Sequence, residues 1–196
     1  AWIDVMAESG LRVWAGPGFA EASWGMEAPQ TVTWMWNREN GRKQFEAAQA
    51  VMKQAEDHAC GRLTGIVFPA QIDTVGEEMF REAIAYAHSS GRGFTTHIAQ
   101  AVVEVREMIR RHGMTPIQWA HSLGMLTPRA ILGHAIFVDE HRSIGWHTAK
   151  DVGLVADSGA TVAHCPSPFA RYGEHMQHFG RYRARGVNMG FGTDCA

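Results

Sequence analysis

Cysteine is scarce in this 196-residue sequence: Cys60, Cys165 and Cys195 are the three present, and no two of them form a Cys-x-x-Cys pair. That excludes a disulfide framework and a cysteine-built zinc site, and it suits a reducing, cytoplasmic setting. Long apolar runs are also missing; no stretch approaches the roughly 20 residues of a membrane span. The opening "AWIDVMAESG" has no basic region leading into an apolar core, so no leader peptide is expected there. Neither sign of charge prevails, since 18 Lys and Arg against 20 Asp and Glu give a net charge of −2. This balance argues against nucleic acid or an anionic membrane as a partner and leaves a small molecule as the expected one. The short basic clusters, Arg110-Arg111-His112 and Arg181 to Arg185, read as solvated helix faces. Repeats, low-complexity tracts and linkers are absent too.

What is present is an alternation. "LRVWAGPGF" is a short β-rich run ended by Gly and Pro, which predicts a strand over about 11–15. Residues 38–60, rich in Ala, Gln, Glu, Lys and Met at helical spacing, predict a helix. "LTGIVFPA" reads as a strand, "GEEMFREAIAYAHSSG" as a helix closed by Gly, and "GRGFTTHI" as a strand. "AQAVVEVREMIRRHG" reads as a helix stopped at Gly113, and Thr115 with Pro116 opens another. "RAILGHAIF", "GATVAHCP" and "GVNMGFGTD" complete six apolar strands, with helices expected over 139–151 and 175–185. Near-continuous apolar strands separated by helices mark a parallel sheet buried on both faces.

Six β/α units could form a doubly wound sheet or most of a barrel. His97, His134, His164 and Asp194 each fall at or just after the C-terminal end of a strand, where barrel sites gather. The first strand is followed by "AGPGFAE", which lacks the G-x-G-x-x-G spacing that an open dinucleotide-binding sheet would favour. The expected fold is therefore α/β, a partial (β/α)8 barrel in one incomplete domain over 1–196. A lone histidine at a strand end is more often structural than a ligand. Two histidines and an aspartate at successive strand ends supply the imidazole and carboxylate donors that zinc or iron(II) prefers.

The pattern "TTHIAQ … LGHAIF … VAHCPSP … GFGTD" resembles the amidohydrolase superfamily, in particular its cytosine deaminase and chlorohydrolase-like branch. The resemblance covers about Gly93 to Ala196 and implies a metal-dependent hydrolase acting on a C–N bond of a non-peptide substrate, such as an amino-heterocycle or cyclic amidine. It implies one divalent metal, Zn2+ or alternatively Fe2+, with His97, Asp194 and His134 as ligands. It makes Asp194 the group that takes a proton from water and delivers it to the leaving nitrogen, and His134 the group that either touches the metal or hydrogen-bonds the substrate's carbonyl or ring nitrogen, polarising the group that gains charge. Gln100 stands where the family has Glu. It is placed with the catalytic residues, yet an amide can donate and accept hydrogen bonds without carrying a proton at neutral pH. A second departure is larger: the family's first strand carries a His-x-His pair, and none of the 11 histidines here is two residues from another. The chain accordingly reads as an internal stretch, strands three to eight of an eight-stranded barrel, inactive by itself and homo-oligomeric when full length.

Other residues have two readings. "SWGMEAPQTVTWMWNREN", taken as a loop after the first strand, places Trp24 either against a flat substrate or inside a lid or subunit interface that packs its own aromatics. Ser167 could hydrogen-bond substrate, and Arg171 could meet a substrate anion or simply be solvated. His164 reads as structural, His175 and His178 as a surface pair, and Cys165 as a small buried residue. Hydrolytic dechlorination of a triazine-like ring, or silent binding of a heterocycle, are the competing functions.

Overall fold

The computed structural model describes residues 2–29 and 31–194. They divide into two compact units, Ala1–Phe94 and Thr95–Ala196.

The first unit begins with α1 (Trp2–Glu8), β1 (Val13–Ala15), β2 (Ala22–Ala28) and β3 (Thr31–Trp36), followed by α2 (Arg38–Glu56), β4 (Leu63–Val67) and α3 (Glu77–Ser90). Asn37 caps α2 by accepting from the Asn40 amide at 3.0 Å. The inward positions of α2, Phe45, Ala48, Met52 and Ala55, recur every three or four residues and are all buried. Phe45 packs on Phe19 with ring centroids 4.6 Å apart and meets Tyr86 edge-on at 5.9 Å. Burying Phe45 and Met52 stabilises this unit by roughly 1.5–3 kcal/mol each. Gly91 ends α3 in the left-handed conformation expected of a helix-terminating glycine.

Two expectations fail in this unit. The segment read as a loop is an antiparallel hairpin, β2 on β3, with Trp24 opposite Trp34 and Ala22 opposite Trp36. Trp24 and Met26 on one strand and Val32, Trp34 and Trp36 on the other recur at every second residue, which is a strand period rather than loop chemistry. The helix over 38–60 stops at Glu56, and the turn that follows it ends at Gly61 (φ 62°).

β5 (Gly93–Ile98) belongs to both units. The second unit continues with α4 (Val102–His112), α5 (Pro116–Ser122), β6 (Ala130–His134), α6 (Asp151–Ser158), β7 (Thr161–His164), α7 (Pro166–Ala170), α8 (Phe179–Ala184) and β8 (Asn188–Phe191). Thr115 caps α5 by accepting from the Gln118 amide, with Pro116 in the first turn, as the sequence predicts. The helix expected over 139–151 does not form. The carboxylate of Asp139 accepts from the Lys150 amide at 2.6 Å and from Thr148 Oγ1 at 2.8 Å, closing the segment into a loop. Side-chain capture of backbone donors competes with helix in this way. Likewise the helix expected over 175–185 is only Phe179–Ala184, and His178 is buried while His175 is exposed, so they are not a surface pair.

The sheet order is β1-β4-β5-β6-β7-β8. β1–β4, β4–β5, β6–β7 and β7–β8 pair in parallel. Strands following one another without reversal, each separated from the next by helix, are a segment of a (β/α)8 barrel; a doubly wound sheet would reverse at a switch point. Among the described residues no helix is long and apolar enough to cross a membrane.

Candidate metal centre

The site lies wholly in the second unit and is assembled at the C-terminal ends of its strands. His97 is the penultimate residue of β5, His134 the last of β6, and Asp194 follows β8 by three residues. One ligand atom from each, an imidazole nitrogen or a carboxylate oxygen, can be chosen so that all lie within 4.8 Å of one another. A single divalent ion bonds nitrogen and oxygen at about 2.0–2.2 Å, so two donors that share it lie at most about 4.4 Å apart, and the three would close in slightly to hold one.

Backbone conformation makes this convergence possible. On β6, a Cβ added to Gly133 would sit 3.1 Å from Cδ2 of His97, so Gly133 faces the His97 ring. Strand alternation would then point His134 to the opposite side. Instead His134 has φ 78° and Ala135 φ 47°, and the His134 ring stacks on His97 with centroids 5.1 Å apart. The other non-glycine residues with positive φ among the described residues are Ala99 (φ 51°) and Asp194 (φ 58°). All four lie at the strand ends that form the site. Such backbone costs on the order of 1–3 kcal/mol per residue and clusters where function demands a particular geometry.

The strained turns are tied to one another. Glu104, fully buried in the first turn of α4, accepts from the Ala99 amide at 2.6 Å and the Gln100 amide at 2.9 Å. The Ala99 carbonyl accepts from the Ile136 and Phe137 amides, each at 2.9 Å, and the Ile98 carbonyl from Ala135 at 3.0 Å. Tyr182, fully buried in α8, donates its hydroxyl to the Ala135 carbonyl at 3.1 Å. Neither Glu104 nor Tyr182 stands out in the sequence. A glutamate in a helix's first turn and a tyrosine in an Arg-rich helix have ordinary readings, and only folding brings them to the site.

Electrostatics favour His134 as a donor of a lone pair. Burial first, and then the adjacent His97, lower its pKa to about 4 against the pull of Asp194. Its Nδ1 is buried without a hydrogen-bond partner. Phe169 of α7 covers this ring edge-on, at 4.8 Å between centroids. His164 is buried between Phe179 and Phe191, each with its ring centroid 6.0 Å away, and burial lowers its pKa; it stands outside the three-residue group. Burial and the proximity of Asp194 raise the pKa of the Cys165 thiol, in keeping with an inert packing role.

The remaining candidates are dispersed. Gln100 follows β5 with its Nε2 buried and lacking a partner, so an amide donor is available beside the site. Ser167 is exposed on α7 and Arg171 is exposed just after it. Trp24 belongs to the first unit, where its indole N–H and that of Trp34 both donate to Asp73 Oδ2, at 2.7 and 2.8 Å.

Parallel β/α order with imidazole and carboxylate donors at the strand ends is the architecture of barrel metallohydrolases. Residues 3–196 match the model of the amidohydrolase family, and the chain belongs to that family. It is 30% identical over 194 residues to a 5-methylthioadenosine/S-adenosylhomocysteine deaminase of Halobacterium salinarum, covering 99% of this chain and 40% of that protein. Among solved structures it resembles an adenosine deaminase from Xanthomonas campestris with bound zinc, at TM-score 0.75 and 19% identity over 98% of this chain and 40% of the other. It also resembles a mutant atrazine chlorohydrolase from Arthrobacter aurescens complexed with zinc and atraton, at TM-score 0.76 and 19% identity over 97% and 40%. The chain thus spans about 40% of the length of these relatives.

Proposed function

We propose that this chain carries part of the active site of a metal-dependent aminohydrolase that removes an amino group from a heterocycle, an adenine-type nucleoside being the favoured substrate class. The observation that carries the reading is the convergence of His97, His134 and Asp194 from three strand ends. The sequence likeness to a 5-methylthioadenosine/S-adenosylhomocysteine deaminase supports the substrate class.

A zinc ion, or alternatively iron(II), held by His97, His134 and Asp194 would supply an acidified water near neutral pH. Around it the chain's own groups divide the work. Asp194 takes the water's proton and returns it to the departing nitrogen, a role its exposure permits. His134, neutral at physiological pH, polarises the ring atom that gains negative charge. Gln100 Nε2 donates a hydrogen bond to the ring, orienting it without moving a proton. Ser167 and Arg171, exposed on and just after α7, contact the more distant parts of the substrate. That Gln100 holds no titratable proton keeps open a second reaction, displacement of chloride from a triazine-like ring, whose leaving group needs no protonation.

Zinc titration of the full-length protein tests the centre. We expect one ion per full-length chain in wild type, loss of tight binding in His97→Ala, and roughly tenfold weaker binding in Gly133→Ala, whose new methyl would press on the His97 ring. Zinc bound as tightly in His97→Ala as in wild type would overturn the assignment. A panel of amino- and chloro-substituted rings then separates the two reactions by the product released, ammonia or chloride.

A further inference from the structure

We propose that Tyr182 is a positioning residue, holding the left-handed His134–Ala135 turn through its hydrogen bond to the Ala135 carbonyl and so aiming the His134 imidazole at the metal centre. The inference deepens the proposed function and rests on it for the identity of the ion.

Gly133 faces the His97 ring, so an unrestrained extended strand would turn His134 to the other face. The positive φ at His134 and Ala135 reverses that direction. Three kinds of contact hold the turn. Backbone bonds from Ala135, Ile136 and Phe137 fix its amides to Ile98 and Ala99 of the neighbouring connection. Glu104 fixes Ala99 and Gln100 in turn, through both carboxylate oxygens. Tyr182 alone among these reaches the turn from α8, and it grips a carbonyl rather than an amide. Peptide-plane rotation between Ala135 and Ile136 swings that carbonyl, so fixing the oxygen resists relaxation of the turn from the side opposite to the amide bonds. Burial raises the Tyr182 pKa, so the hydroxyl remains a donor across the working pH range. The Tyr182 ring is fully buried, so Tyr182→Phe removes the hydroxyl and leaves the ring in place.

The test compares wild type, Tyr182→Phe and Phe45→Leu. Phe45 lies in the core of the first unit and serves as a control for loss of stability. Zinc affinity is measured by competition with a chelator, and amide hydrogen exchange is followed in the metal-free protein. Tyr182→Phe is expected to weaken zinc binding roughly tenfold, in the range of lost support to a ligand, and to speed exchange at Ile136 and Phe137. Phe45→Leu is expected to lower the melting temperature without either effect. Unchanged zinc affinity in Tyr182→Phe, or equal weakening in Phe45→Leu, would overturn the positioning role. Should wild type bind no zinc, the metal reading fails, and exchange at the two amides decides the restraint separately: wild-type rates in Tyr182→Phe would overturn it.

Discussion

In the full-length protein, Asp194→Asn is expected to lower turnover on an amino-heterocycle by roughly 10²–10⁴-fold while the protein stays folded and keeps much of its metal. Asparagine preserves the shape of the side chain and one oxygen able to meet an ion, but it cannot accept a proton from water. It is also tolerated at the left-handed φ of 58° found here, where most side chains are strained. The variant therefore separates proton transfer from folding. The measurement is kcat at matched zinc content; wild-type turnover would remove Asp194 from proton transfer. Gln100→Glu is the informative companion. If deamination is limited by a missing second proton carrier, it raises turnover on amino-substituted rings; if Gln100 only orients the ring, it raises KM instead.

The largest effect on stability is expected at Asp139. Its carboxylate, itself fully buried, accepts from the amides of Glu140, Lys150 and Asp151 and from the Thr148 hydroxyl. Asp139→Ala removes four hydrogen bonds, which at about 1 kcal/mol each amounts to about 4 kcal/mol. Chemical denaturation measures it, and a loss below 1 kcal/mol would show the loop to be held by something else. The neighbouring Asp151 adds a pH dependence. Burial first, and then the charge of Asp139, raise its pKa from 3.8 to about 6. The folded state therefore binds this proton more tightly than the unfolded chain does. Its contribution is complete below about pH 4 and is lost as pH rises to about 6, a fall of roughly 3 kcal/mol. Asp139→Ala removes one of the two causes, so its stability should decline less steeply across that interval.

Much of the fold was legible because burial on both faces leaves a plain mark. "LTGIVFPA" and "RAILGHAIF" read as strands since nearly every residue is apolar, and Gly91 and Gly113 ended their helices where a left-handed residue is needed. Thr115 and Pro116 likewise carried their own explanation. The hairpin is hard to read from sequence because tryptophan density suggests ligand contacts, while the strand signal is the two-residue period of Trp24, Met26, Val32, Trp34 and Trp36. The segment 139–151 has helical composition, and what prevents a helix is a long-range choice: Asp139 finds Thr148 and Lys150, partners a local pattern cannot announce. At the site, His97, His134 and Asp194 could be placed at strand ends from strand boundaries alone. The reversal of His134 could not, since it depends on backbone conformation and on Glu104 and Tyr182, which are distant in sequence from His134 and reach main-chain atoms of the turns.

The shared anchor of Trp24 and Trp34 on one oxygen of Asp73 gives the molecule an optical asymmetry. Of the seven tryptophans, Trp2, Trp14, Trp24, Trp34 and Trp36 belong to the first unit and only Trp119 and Trp146 to the second. Both of the latter have an imidazole for a neighbour, His112 at 4.5 Å and His147 at 4.4 Å between ring centroids. Intrinsic fluorescence is therefore dominated by the unit that contributes none of the candidate ligands. A hairpin leaving its anchor would change the emission conspicuously, whereas an ion arriving at His97, His134 and Asp194 would pass almost unseen in it, and an absorbing ion such as cobalt(II) would be the better witness.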